Sequence, residues 1–261
     1  MALNRRHLHG SYVDPAASLS PLRSRRFVRD YFGVQPVCYD DLGYGNPTGT
    51  GGDTNMMQTH NCSYEYNIKG TGTVLRPVWT AASGLNIGFD KADDDGVEIT
   101  AGIGALSLGS FTVGADRSFY AKTKIYLADS SGTDELVFGF RKNEAYAAAH
   151  TSYTDYAAIG LITDDEDIYI TTRINSGTAL SIDTTHDWDD EATHTLEVQV
   201  NDDGYARFYL DDAPPDVTKT NFQFDADDVV NWFLFLVFDD TTPGDVFVNS
   251  FEFGYVPRRA E

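Results

Sequence analysis

Residues 194–210 read His194-Thr-Leu-Glu-Val-Gln-Val-Asn-Asp-Asp-Gly-Tyr-Ala-Arg-Phe-Tyr-Leu210. Apolar and polar side chains alternate on both sides of the central Asn-Asp-Asp-Gly, which is the pattern of two half-buried strands joined by a tight turn. Aspartate and glycine suit that turn because they tolerate the positive φ that it requires. The segment therefore predicts an antiparallel β-hairpin.

Short runs of the same kind recur from about residue 62 to the C-terminus, and turn-forming residues separate them, as at 93–96 and 175–177. Residues 230–238 are apolar on both faces, which predicts a central strand that is covered on both sides. Only residues 143–150, rich in alanine, suit a short helical turn, and they suit an irregular loop equally well. About thirteen strands without a long helix predict an all-β protein with two antiparallel sheets.

The chain is strongly acidic. Its 261 residues contain 19 Lys+Arg and 40 Asp+Glu, a net charge of −21, and the length is ample for a sizeable core. This charge opposes binding to nucleic acid or to an anionic membrane surface, so neither partner is expected. No stretch approaches the roughly 18 apolar residues of a membrane span, and no apolar segment follows the first charged residues as in a secretory signal peptide.

The charge is unevenly placed along the chain. Residues 1–36 carry six arginines and two aspartates, a net +4, so the remainder carries −25. We interpret 1–36 as a basic N-terminal arm, the Gly/Thr-rich residues 37–61 as a loop or linker, and 62–261 as the sandwich domain. The arm is either a disordered tail or a segment that an acidic partner orders. Its predicted partner contacts are Arg5, Arg6, Arg23, Arg25, Arg26, Phe27, Arg29, Tyr31 and Phe32.

Motifs for chemistry are sparse. No glutamate begins the alternating carboxylate strand of a glucanase, since the acids of 164–167 are consecutive and predict a solvated turn. The six histidines have no zinc-ligand spacing, so no metal site is assigned, although calcium at the acidic loops 93–96 and 164–167 stays an alternative to plain surface charge. No enzyme activity and no cofactor are expected. Cys38 and Cys62 are either one disulfide or two free thiols.

Aromatic residues in an all-β protein mostly pack in the core. For Trp188 we consider a buried ring and an exposed ring equally. It lies in the polar run Thr184-Thr-His-Asp-Trp-Asp-Asp-Glu191, which favours an exposed ring as much as a buried one. An exposed ring beside aspartates could stack against a sugar. Trp188 is therefore the candidate carbohydrate contact.

The hairpin at 194–210, with the later strands at 233–238 and 246–253, resembles the corresponding part of concanavalin A-like (laminin-G-like) jelly rolls. Strands at 136–141, 156–161 and 168–173 also fit, so the resemblance covers roughly residues 65–256. The arrangement is similar to sandwich domains in structural proteins of tailed bacteriophages. The resemblance implies a jelly-roll sandwich behind an extended N-terminal arm.

From the resemblance and the charge asymmetry we expect a virion structural protein, a capsid decoration or cement protein whose arm grips the shell. Its partner would be the major capsid protein or another virion protein. It would be made in the host cytoplasm, lie on the capsid surface and form a homo-oligomer, with a trimer suggested by family resemblance. The alternative is a lectin-like carbohydrate-binding adhesion module, and a glycan-cleaving enzyme ranks third.

Overall fold

The computed structural model describes ten segments of the chain, and the predicted arm contacts lie outside them. The described segments are residues 35–40, 45–48, 54–59, 63–70, 76–80, 83–89, 91–101, 110–217, 221–240 and 244–256.

These segments form seventeen strands and a single short 3-10 turn at His150–Ser152. No described helix has the length and apolarity to cross a membrane. The strands are β1 (Gln35–Asp40), β2 (Gly45–Thr48), β3 (Thr54–Thr59), β4 (Ser63–Lys69), β5 (Val78–Thr80), β6 (Gly84–Asn86), β7 (Gly96–Ala101), β8 (Ser110–Thr112), β9 (Phe119–Leu127), β10 (Thr133–Lys142), β11 (Tyr156–Leu161), β12 (Asp167–Arg173), β13 (Leu180–Asp187), β14 (Ala192–Val200), β15 (Ala206–Leu210), β16 (Val229–Phe238) and β17 (Val246–Tyr255).

The strands make two antiparallel sheets. The seven-stranded sheet has the order β15-β14-β9-β17-β6-β5, with β1 paired to β17 beside β6. The ten-stranded sheet has the order β13-β12-β11-β10-β16-β7-β4-β3-β2, with β8 paired to β16. The predicted fold class, a two-sheet antiparallel jelly-roll sandwich, is confirmed.

Two local predictions are also confirmed. Strands β14 and β15 pair antiparallel with Val198 opposite Phe208. Strand β16 lies between β10 and β7, and both of its faces are covered. Trp232 packs in the core between the sheets, whereas Phe233 packs in a second apolar cluster on the outer face of the ten-stranded sheet. Alternation along a strand explains why an unbroken apolar run needs both environments.

The second apolar cluster explains why the alanine-rich segment 143–150 is not a helix. Residues 143–149 form no helix, and only the 3-10 turn follows them. The connection from β10 to β11 instead lies across the outer face of the ten-stranded sheet, where Tyr153 and the partly buried Tyr146 pack beside Phe233 and Phe235. This face is therefore occupied by the protein's own loop.

The structure differs from the prediction for residues 37–61. Strand β1 pairs with β17 in the seven-stranded sheet, and β2 and β3 extend the ten-stranded sheet beyond β4. The predicted loop or linker therefore supplies strands to both sheets, and the first described strand begins at Gln35 and not near residue 62. The composition of this segment has low strand propensity, so the sequence alone did not indicate these strands. They form because pairing with the edge of an existing sheet outweighs that weak local propensity.

Candidate functional site

A half-open pocket of about 510 Å³ lies along β15, the end strand of the seven-stranded sheet. This volume falls within the range of roughly 300–1,000 Å³ that is usual for small-molecule sites. The lining residues are Ile170, Asn201, Tyr205, Ala206, Arg207, Phe208, Tyr209, Pro214, Pro215, Val217 and Asn221.

The turn before β15 holds one end of the pocket. The side-chain oxygen of Asn201 accepts hydrogen bonds from the backbone N–H groups of Asp203 (3.1 Å) and Tyr205 (2.7 Å). Gly204 has a φ of +89°, and a Cβ there would lie 2.5 Å from the carbonyl oxygen of Phe224. Only glycine fits this close approach, so the turn presents Tyr205 in a defined position.

The chain after β15 forms the opposite wall. Leu210 and Ala213 exchange backbone hydrogen bonds of 2.8 and 3.0 Å, which close a tight turn. Pro214 and Pro215 follow, and their rings fix φ along the wall. A hydrogen bond of 2.9 Å from the Val217 N–H to the Pro215 carbonyl continues this constrained path. The wall is therefore ordered before any ligand arrives.

The main chain of Phe208 is directed to the outer edge of β15, along which the pocket lies. The N–H of Ala206 bonds to the Phe222 carbonyl (3.2 Å), and the N–H of Leu210 bonds to the Ala213 carbonyl (2.8 Å), so both point away from β14. Backbone groups of alternate residues point to the same edge of an antiparallel strand. The N–H and C=O of Phe208 therefore point to that edge too, between two occupied positions.

Side chains complete the site. Ala206 and Phe208 are buried, whereas Arg207 is exposed and Tyr205 keeps 44% of its surface exposed. Exposed Asn221 and partly buried Asn201 add amide groups. The pocket thus combines an apolar floor, an aromatic side chain, amides, one backbone donor–acceptor pair and one cation.

A second polar group lies on the outer face of the ten-stranded sheet, and it is closed. Arg141 on β10 meets Glu98 on β7 through Nε to Oε2 at 3.2 Å and Nη2 to Oε1 at 2.8 Å. Both side chains are fully buried. The hydroxyl of Tyr153 donates to Glu98, and the Tyr153 ring lies 4.3 Å below the guanidinium. We call Glu98, Arg141 and Tyr153 the buried ion-pair cluster.

The cluster fastens the β10–β11 connection to the sheet. Arg141 Nη1 donates to the carbonyls of Lys142 (3.1 Å) and Glu144 (3.0 Å) at the start of that connection. Burial raises the pKa of Tyr146 to about 12, and the negative charge of Glu98 adds to the shift. Burial and the same charge also raise the pKa of Tyr153. Both phenols therefore stay protonated. The cluster is buried, so we assign it a structural role and not a ligand-binding one.

Trp188, the candidate carbohydrate contact, is fully buried. Its ring packs in the core between the sheets and meets His194 edge to face at 5.0 Å. The prediction of an exposed ring is therefore corrected: the connection from β13 to β14 turns the indole inward although its sequence neighbours are polar. Apolar burial outweighs the polarity of the surrounding run.

The acidic loops show surface charge in the part of the chain that the structure describes. Asp93 and Asp94 are exposed, and Asp94 faces Lys69 at 3.5 Å. Asp164 and Asp165 are exposed as well, as the predicted solvated turn requires. Among the described residues, no three acidic, histidine or cysteine side chains converge on one point as metal ligands would.

The pocket residues were missed at the level of sequence. Alternation along β15 does place Tyr205, Arg207 and Tyr209 on one side, and this is the signal that could have found them. The walls, however, include Pro214, Pro215, Val217 and Asn221, and Ile170 on β12, which no spacing along the chain connects to β15.

Comparisons with known proteins agree with this architecture. No protein-family model and no curated protein matches the chain. Similar solved structures include the carbohydrate recognition domain of Emp46p in its metal-free form, with a TM-score of 0.49, 11% identity, and coverage of 73% of this chain and 87% of that one. The endo-1,3-beta-glucanase (laminarinase) catalytic domain of Thermotoga petrophila RKU-1 has a TM-score of 0.48, 10% identity, and coverage of 86% and 98%. The endo-beta-1,4-glucuronan lyase of Trichoderma reesei has a TM-score of 0.44, 12% identity, and coverage of 85% and 96%.

The fold is a two-sheet antiparallel jelly roll. The likeness is one of architecture alone, because the identities are low. It contradicts the prediction that the protein is not an enzyme, since the fold is shared by glucanases, a lyase and glycosyl hydrolases as well as by carbohydrate recognition domains.

Proposed function

We propose that this protein binds a glycan in the pocket along β15. The observation that carries the proposal is the backbone donor–acceptor pair of Phe208, which lies between two occupied edge positions and beside a partly exposed tyrosine. A sugar ring offers hydroxyl groups that both donate and accept, together with an apolar C–H face. Those are the chemical complements of a strand edge, asparagine amides and an aromatic ring.

The shape of the pocket supports the same proposal. Its apolar floor contains Ile170 and Phe208, and its polar groups stand at the rim. A half-open pocket bounded by a turn and two prolines can hold one end of a longer chain while the remainder leaves to solvent. Preordered walls also reduce the ordering cost of binding.

Replacing Tyr205 by alanine tests the site. We expect the full-length protein to bind a subset of an oligosaccharide array, and Tyr205→Ala to weaken that binding about tenfold or more, equivalent to about 1.4 kcal/mol. Isothermal titration calorimetry on the strongest array ligand measures the loss. Phe89→Ala is the matched control, because Phe89 is an exposed aromatic residue (38%) that does not line the pocket.

A silent array, or equal affinities for Tyr205→Ala and the unmodified protein, would contradict the proposal. A ligand that binds is then incubated with the protein and assayed for new reducing ends. Release of reducing ends would extend the function from binding to cleavage of the glycan.

The charge asymmetry of the sequence favours a second candidate function. Residues 1–36 carry a net +4 ahead of a body of −25, which supports attachment of the arm to an acidic virion partner such as a phage capsid protein. Deletion of residues 1–34 leaves β1 intact, since its pairing with β17 begins at Gln35. The truncated protein should fold yet fail to co-sediment with phage shells, and retained attachment would contradict this candidate.

A further inference from the structure

We propose that the glycan bound along β15 carries an anionic group, a carboxylate or a sulfate, that pairs with Arg207; this rests on the proposed function of the pocket. Arg207 is the one charged side chain among the described residues that line the pocket. Its side chain is exposed, and within the part of the chain that the structure describes this side chain forms no ion pair and no hydrogen bond. Its positive charge is therefore available to a ligand.

Several cations of this acidic chain are paired with carboxylates, and Arg207 is not. The protein has 40 carboxylate residues against 19 lysines and arginines, and Lys69, Lys122, Arg141 and Lys142 each contact at least one carboxylate. Arg173 donates instead to backbone carbonyls, including those of Gly177 and Tyr153. Arg207 has neither kind of partner among the described residues, and it lines a pocket.

Three acids near the pocket in sequence are engaged elsewhere, and exposed Asp203 and Asp216 form no ion pair with Arg207 among the described residues. Asp211 accepts from the N–H of Thr195 and faces His194 Nδ1, both at 2.8 Å. Asp212 pairs with Lys122, and Asp202 accepts from Ser118. These contacts turn three carboxylates toward other partners. Arg207 is left without one.

The chemistry of guanidinium identifies the ligand class. Its planar fork of N–H donors matches the two oxygens of a carboxylate or sulfate, and such charge-assisted pairs are stronger than neutral hydrogen bonds. The net charge of −21 repels an anion at long range, but salt screens that repulsion beyond about 8 Å at physiological ionic strength. An anionic sugar is thus selected at short range, by the pocket itself.

The test compares matched trisaccharides on three backbones: β-1,4-glucan, β-1,4-galactan and α-1,4-galactan, each as the neutral sugar, the uronate and the 6-O-sulfate. Calorimetry with the full-length protein should show at least tenfold tighter binding of a uronate or a sulfate than of its neutral counterpart. In Arg207→Gln that preference should fall to less than twofold, while binding of the neutral sugar changes little. Arg207→Lys should keep part of the preference, since the charge remains but the fork is lost.

Lys124→Gln is the matched control. Lys124 is an exposed cation on β9 that does not line the pocket, so its removal changes the net charge equally. We expect it to leave the preference intact. Both substitutions are on the surface, and thermal unfolding should confirm that the variants fold as the unmodified protein does.

The outcomes separate the two proposals. Preference for the uronate alone or the sulfate alone supports the inference and identifies the anionic group. Equal affinity for neutral and anionic sugars, or a preference that survives Arg207→Gln, overturns the inference while glycan binding stands. Failure of all nine sugars to bind, together with a silent oligosaccharide array, overturns the proposed function and this inference with it.

Discussion

At the scale of single residues, the most consequential contact is the buried pair of Glu98 and Arg141. Both side chains are completely buried, and their Nη2 and Oε1 atoms lie 2.8 Å apart. A buried pair gains little net stability over an apolar replacement, because desolvation offsets the Coulomb attraction. Removing one partner is different, since it leaves the other charge buried and uncompensated.

Glu98→Gln should therefore destabilise the protein strongly. We expect the free energy of unfolding to fall by about 3–5 kcal/mol, as for other broken buried pairs. Urea unfolding followed by fluorescence measures the loss. The double variant Glu98→Leu/Arg141→Met should lose less, because no unpaired charge remains.

Asp94→Asn is the control for an exposed pair. Lys69 Nζ and Asp94 Oδ1 lie 3.5 Å apart and Asp94 is 90% exposed, so the change should cost less than about 1 kcal/mol. An equal effect of Glu98→Gln and Asp94→Asn would show that the buried pair does not hold the β10–β11 connection on the sheet.

At the scale of elements, β10 and β11 approach each other closely at glycines. A Cβ on Gly160 would lie 1.9 Å from the Leu136 carbonyl oxygen, and a Cβ on Gly139 would lie 2.0 Å from that of Ala157. Gly160 also has a φ of +148°. Glycine inside a strand commonly marks such an approach of two backbones.

Gly160→Ala should disturb this strand pair. The clash is with backbone, so overpacking should cost about 1–3 kcal/mol, in addition to about 1–3 kcal/mol for a non-glycine residue at positive φ. Thermal unfolding measures the change. Gly114→Ala is the control, because Gly114 also has positive φ (+81°) but its Cβ would meet only Ala226, at 4.0 Å. Equal losses in the two variants would refute a steric role for Gly160.

At the scale of the whole molecule, the excess of negative charge acts against folding. Burial and the charges of Glu135 and Asp239 raise the pKa of Asp134, and burial with the charge of Asp164 raises the pKa of Asp239. A raised carboxyl pKa means that the folded protein binds the proton more tightly than the unfolded chain does. Stability therefore falls as pH rises through the window above the ordinary value of 3.8.

We accordingly expect the protein to become more stable when the pH is lowered from 7 to 5. Urea midpoints measured at low salt should rise over this interval. Asp190 contributes in the opposite sense, since hydrogen bonds from Ser130 lower its pKa. That contribution is lost only when the pH falls below 3.8, outside the interval tested.

Asp239→Asn should raise the urea midpoint at pH 7 and flatten its pH dependence. The expected gain is about 0.2–1 kcal/mol, the range for exposed charges. Added salt at pH 7 should stabilise the unmodified protein for the same reason, because it screens the repulsion. A midpoint that falls between pH 7 and pH 5 would contradict this account.

The predictions that succeeded depended on patterns within one element. The alternation of 194–210 and the apolar run at 230–238 indicate strands without reference to any partner. Residues 37–61 lack such a pattern, and their strands form because the edges of β17 and β4 offer backbone partners. The prediction that Trp188 is exposed failed for a similar reason, because the indole is buried by packing between the two sheets.

Side-chain periodicity and turn chemistry thus determined the fold class, the central strand and the hairpin, because the information for each lies within a few consecutive residues. Tertiary structure alone decided the pocket and the unpaired state of Arg207. Both arise where β15, β12 and the chain after β15 meet, and contacts between segments distant in sequence depend on how the two sheets pack.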